Sequence, residues 1–155
     1  MQRIFHFEAQ RQRYICDAAV VWCFDNRFET GFRKFLQRMG VVYWDAIKLA
    51  GGTKCLAAPE GDPIRAFVLE QIRTSMRLHQ TRRVILMLHS DCGAYGGLDA
   101  FNGDAAAEAR HHEAELKRAA ANLSQAIPEI RVEPYFVDFE GVWAVEEGQT
   151  NSMRG

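Results

Sequence analysis

The chain has 155 residues, 48% of them hydrophobic and 25% charged, with a formal net charge of -1. That length suits one domain able to bury most of the surface its unfolded chain exposes. Its 19 basic and 20 acidic residues are spread along the sequence, which argues against a nucleic-acid or anionic-membrane partner. The longest wholly apolar stretch, Ala18 to Phe24, falls far short of the roughly 20 residues a membrane span needs, and the N-terminus has no signal-like apolar region. The reading is a soluble, cytoplasmic protein whose four cysteines serve as metal ligands or core thiols rather than disulfides.

In chain order, residues 1–14 form a polar arm in which Phe5, Phe7 and Tyr14 would pack on a second subunit or on their own domain. Ala18 to Phe24 (AAVVWCF) is a short continuous apolar run, the pattern of a strand covered on both faces. Phe28, Phe32, Phe35, Leu36 and Met39 then recur at helical spacing, with Gly40 placed for a left-handed helix end. A second strand is predicted over Val41 to Leu49, stopping at Gly51-Gly52. Asp62-Pro63 offers an N-cap and a first-turn proline to a helix running to about His79.

Val84 to Leu88 (VILML) is a third buried-strand run, closed by His89-Ser90-Asp91-Cys92-Gly93. A long helix is predicted from Asp104 to about Ile127, on the spacing of Ala109, Leu116, Ala120, Leu123 and Ile127 and the stop at Pro128. Val132 to Phe139 and Val142 to Val145 read as a strand and its hairpin partner split by Glu140-Gly141. Pro134 belongs near the start of that strand or at a bulge, since it cannot donate to a ladder. Residues 146–155 read as a flexible tail. The sum, βαβαβαββ, predicts an α/β fold with a mostly parallel central sheet flanked by helices.

Two segments stand apart from this scaffold. Cys23-Phe24-Asp25-Asn26-Arg27 ends the first strand and His89-Ser90-Asp91-Cys92-Gly93 ends the third, and in open parallel sheets ligands bind at the carboxyl ends of strands where the winding direction reverses. If the first and third strands are neighbours, the crevice between them holds two thiols and an imidazole, a set zinc accepts with a fourth position left for water. A thiolate at Cys92 would gain from a helix beginning just after it. Period-two alternation places Cys23, Asp25 and Arg27 on one side. Asp25 would either take the fourth metal position or pair with Arg27 and accept a hydrogen bond from a metal-bound water. The second arrangement leaves an open site, and zinc lowers the pKa of bound water from 15.7 to about 7.

C-x-D-x-R at one strand end and H-x-x-C-G at another resemble the β-class carbonic anhydrases, in outline over residues 15 to 139. The resemblance implies Cys23, His89 and Cys92 as zinc ligands and Asp25 with Arg27 as the dyad gating the fourth position. It also implies a sheet ordered 2-1-3-4 extended by the C-terminal hairpin strand, a dimer or higher homo-oligomer, and carbon dioxide and bicarbonate as substrate and product. Ala50-Gly51-Gly52 is similar to the family's turn beside the active site, making Gly51, Gly52 and Gly93 the pocket candidates. Asn26 stands where the family usually has serine, and the chain before the first strand is shorter than the family's helical arm.

Two other readings share these residues. The same zinc site would hydrolyse carbonyl sulfide or carbon disulfide if its pocket admits them, and a non-catalytic zinc-binding protein would keep Asp25 on the metal. A thiol redox role for Cys23 and Cys92 is disfavoured by the lack of C-x-x-C. Cys16 and Cys55 read as core thiols. Asp91 reads as an acceptor for a ligand's ring N–H or as an N-cap. Gly96-Gly97 permits a close backbone approach or ends a turn. His111 and His112, on an Ala- and Glu-rich helix, read as solvated, with Glu113 and Lys117 supporting an exposed face.

Overall fold

The computed structural model describes residues 1–146. The tail expected over 146–155 lies, apart from Glu146, outside the described residues. Five strands, β1 (Ala18–Trp22), β2 (Trp44–Lys48), β3 (Arg83–His89), β4 (Arg131–Val137) and β5 (Val142–Ala144), form one sheet in the order β2-β1-β3-β4-β5. The first four run parallel and β5 is antiparallel to β4. Three helices, α1 (Glu29–Arg38), α2 (Pro63–His79) and α3 (Ala105–Ala126), cover its faces. This is the expected α/β architecture and strand order. None of the described helices is long and apolar enough to cross a membrane.

The continuous apolar run of β1 is explained by two separate cores. Successive strand side chains point to opposite faces, so Ala19 and Val21 join Val84, Leu86 and Leu88 beneath α2 and α3, with Val68, Ile72, Leu116 and Leu123. Ala18, Val20 and Trp22 join Ile85 and Met87 beneath α1, with Phe32 and Leu36. Trp22 and Phe32 stack at 4.5 Å between centroids. Each large apolar side chain buried here contributes about 1.5–3 kcal/mol, so the sheet centre, where the crevice opens, is packed from both faces.

Local signals fix the helix limits. Asp62 accepts from the N–H groups of Ile64 and Arg65 ahead of Pro63, and Gln80 closes α2 in the left-handed region at φ 58°. Gly40 takes φ +72° just past α1, and Asp104 caps α3 through the N–H groups of Ala106 and Ala107.

Several strand limits, and the place of Pro134, differ from expectation. β2 starts at Trp44 instead of Val41 because the Asp17 carboxylate takes the N–H groups of Val42 and Tyr43, each at 2.8 Å. β4 stops before Phe139 because Asp138 accepts from the N–H groups of Glu140 and Gly141 in the turn to β5. Pro134 sits in mid-strand, paired with Leu86. Its carbonyl accepts from Val145 on the β5 side, so its missing N–H falls where the β5 ladder ends and the β3–β4 ladder stays intact.

Candidate metal centre

β1 and β3 pair only from Ala19 to Val21 against Val84 to Leu86. Beyond that the strands part, and the 3-10 helix Gly52–Ala57 enters the fork. Thr53 replaces the missing ladder: its hydroxyl accepts from the Met87 N–H at 2.9 Å and donates to the Val21 carbonyl at 3.4 Å. Gly52 must be glycine here. It has φ +49°, and a Cβ would stand 2.7 Å from the Cys23 nitrogen. At Gly51, φ +73°, a Cβ would meet that of Ala94 at 2.9 Å. Gly93, by contrast, has open space where its Cβ would be and closes against nothing.

In the opened crevice the donor atoms of Cys23, His89 and Cys92 all lie within 4.8 Å of one another, and all three residues are buried. Nδ1 of His89 donates to the Ser90 carbonyl at 2.8 Å. The carbonyl can only accept, so in the neutral ring Nε2 is the nitrogen left free to bind a metal. Among the described residues that buried Nε2 has no hydrogen-bond partner, and such a group is costly unless something binds it. Hydrogen bonding from Cys92 pulls the Cys23 thiol well below the ordinary thiol range, while the same contact pushes Cys92 up. The contact thus favours a thiolate at Cys23. An imidazole acceptor and two thiols, one of them favoured as thiolate, fit a zinc ion.

The chain turns sharply after Cys23. β1 ends at Trp22, so strand alternation does not carry on to Asp25 and Arg27 as expected. Asp25 instead caps the 3-10 turn Asn26–Phe28, accepting from the Arg27 N–H at 3.0 Å. This turn folds the guanidinium back onto the carboxylate: Nε lies 3.1 Å from both oxygens and Nη2 2.7 Å from Oδ2. The Arg27 hydrogen bonds hold the Asp25 carboxyl below the usual carboxylate range. Asp25 Oδ2 is 4.0 Å from His89 Nε2.

Asp91 does neither thing expected of it. The His89 ring N–H goes to Ser90, and the segment after Cys92 holds two short 3-10 turns, Gly93–Tyr95 and Leu98–Phe101, rather than an α-helix whose dipole could aid that thiol. Asp91 binds Arg27 instead, through Oδ2 to Nη1 at 2.8 Å and its carbonyl to Nη2 at 2.9 Å. Gly97, not Gly96, makes the close approach: a Cβ on it would lie 2.9 Å from Asp91 Oδ1, whereas Gly96 ends the Gly93–Tyr95 turn in the left-handed region.

His111 is exposed as expected, but His112 is not solvated. It and Glu108 are buried on the inner face of α3. Glu108 accepts the Asp91 N–H at 2.7 Å, and His112 packs against Tyr95 and Phe136. The signal was available: Glu108 and His112 precede Leu116 by two and one i,i+4 steps, in phase with the apolar stripe. Cys16 is buried and Cys55 half-buried against the core, both unbridged with burial pushing their thiols up.

Residues 15–147 match the sequence profile of a family described as "Putative carbonic anhydrase". No curated protein sequence matches the chain. Among solved structures, a carbonic anhydrase from Glaciozyma antarctica superposes with a TM-score of 0.58 at 21% identity, covering 86% of this chain and 84% of that one. The β-carbonic anhydrase isoform I of Trichomonas vaginalis gives 0.58 at 12% identity over 90% and 87%. That of Aspergillus fumigatus gives 0.58 at 16% over 88% and 78%. At these identities the likeness establishes the fold.

Proposed function

The chain belongs to the carbonic anhydrase family matched over residues 15–147, and from that premise we propose that it is a zinc-dependent enzyme that reversibly hydrates carbon dioxide to bicarbonate. The observation that supports this most is the Asp25–Arg27 pair beside the cluster. Among the described residues every hydrogen bond Asp25 accepts comes from Arg27, which engages both carboxylate oxygens although Oδ2 stands 4.0 Å from His89 Nε2. Zinc held by Cys23, His89 and Cys92 would activate water near neutral pH and offset developing negative charge. Asp25, kept ionised by Arg27, would accept a hydrogen bond from a water at that place and orient it. The guanidinium fixes the carboxylate and contributes positive charge to a site that makes an anion. A structural zinc site has no use for a residue that holds a fourth ligand away.

The test is stopped-flow hydration of carbon dioxide by protein carrying one zinc per chain. Turnover is expected, and Asp25→Asn should lower kcat/KM by about 100-fold with zinc content unchanged. Zinc-loaded protein that leaves carbon dioxide unhydrated overturns the proposal. Sulfide release from carbonyl sulfide or carbon disulfide in a parallel assay would then assign a different electrophile, and inertness to all three would leave a zinc-binding protein. Homo-oligomeric assembly and a cytoplasmic location belong to the same proposal. The exposed Ile4, Phe5 and Phe7 of the N-terminal arm support the first.

A further inference from the structure

We propose that Asp91 is a positioning residue for Arg27: it anchors the guanidinium to the loop between His89 and Cys92 so that the other edge of the fork stays on Asp25 and keeps that carboxylate off the cluster. The inference rests on the carbonic anhydrase reading and adds a third member to the pair. Asp91 is itself over-determined. It occupies the left-handed region at φ 53°, an uncommon state for a residue with a side chain. Its N–H is tied to the buried Glu108 at 2.7 Å, and its Oδ1 accepts the Leu98 N–H at 2.9 Å. Gly97 leaves room for that oxygen.

Those bonds occupy Oδ1 and the amide and leave two acceptors, Oδ2 and the main-chain carbonyl, facing Arg27. They take Nη1 and Nη2 at 2.8 and 2.9 Å, while Nε and Nη2 take Asp25. Nη2 therefore bridges the two aspartates. The rings of Phe28 and Phe139 lie 5.6 and 5.7 Å from the guanidinium carbon and limit its swing. The Arg27 side chain is 46% exposed, so burial does not hold it. With one carboxylate only, so exposed an arginine would sample solvent, and Asp25 already stands 4.0 Å from His89 Nε2.

Asp91→Asn separates this role from a structural one. Its amide oxygen still accepts from Leu98, but its NH2 group faces Nη1 donor to donor. The probe is azide, titrated into cobalt(II)-loaded protein and followed in the visible spectrum, where anion entry to an open metal position is read without turnover. Azide affinity should fall by about fivefold in Asp91→Asn, the size expected for an exposed charge pair, and Asp91→Asn should change nothing further in an Asp25→Asn background. Equal azide affinity in parent and Asp91→Asn, or an equal loss in both backgrounds, overturns the inference and leaves the functional reading standing. A cobalt-loaded parent that takes up no azide overturns the reading and the inference together. Should Asp91→Asn not fold, exchange of the Arg27 Nη1–H, which donates to Asp91 Oδ2, decides by nitrogen-15 NMR of the zinc-loaded parent: slow exchange is expected, and fast exchange overturns the inference.

Discussion

Burial, not pairing, sets the charge of Glu108 and His112. Their side chains approach to 3.6 Å, yet desolvation pushes the Glu108 carboxyl up and holds the His112 imidazole down at about 4. In each residue burial favours the neutral form, as it must where both ring nitrogens of His112 lack partners. For His112 the sign follows directly. A base whose pKa is depressed in the folded state binds protons more readily unfolded, so its stability contribution is full above about 6.5 and is lost as pH falls toward 4. The loss across that window is at most about 3–4 kcal/mol. His112→Leu, which fills similar volume with no titratable group, should flatten the acid limb of the stability curve between pH 6.5 and 4 in chemical denaturation. An unchanged slope would show that other groups carry it.

Between elements, the decisive event is the early parting of β1 and β3. Thr53 bridges the gap from the 3-10 helix, giving the Met87 N–H its only backbone-like acceptor at a fully buried position. Thr53→Val keeps the shape and removes that acceptor, so urea titration should show a loss of about 1–3 kcal/mol. Zinc affinity should fall with it, because Cys23 and His89 sit at the ends of the parting strands. A stability unchanged within error would mean that water satisfies the Met87 amide. How much of this could be read beforehand depends on how local the cause is. α2 was legible because Asp62, Pro63 and the apolar stripe are all near neighbours in the chain. The convergence of Cys23 with His89 and Cys92 was legible because buried runs mark strands, and strand ends in a parallel sheet converge at one edge. The start of β2 was not, since it is set by Asp17, and neither was the Asp91–Arg27 contact, which joins residues far apart in sequence through a short irregular turn. Thr53 lay in a 3-10 segment too short for any periodicity to mark.

At the scale of the whole molecule, the described N-terminal arm is the part left without a core. Residues 1–15 are exposed, and the arm departs from a well-fastened point. The Tyr14 hydroxyl donates to Asp45 at 2.6 Å, Asp45 also accepts from Ser75 and lies 2.8 Å from His79 Nδ1, and the Tyr14 ring lies 4.3 Å from that of His79. Before this latch the chain carries Ile4, Phe5 and Phe7, each more than two-thirds exposed, with the two phenylalanine rings 6.4 Å apart. Side chains of this kind contribute about 1.5–3 kcal/mol each when covered, of which ordering the arm takes back a share. A second copy of the chain is the cover we propose. Removing residues 1–13 leaves Tyr14 and the latch in place, so the melting temperature of the dissociated chain should stay within a few degrees of the parent's. Association, however, should weaken by roughly tenfold or more, visible by light scattering as a shift of dimer or larger species toward monomer. A full-length chain that is monomeric at high micromolar concentration, or an assembly unchanged by the truncation, would assign the arm another role.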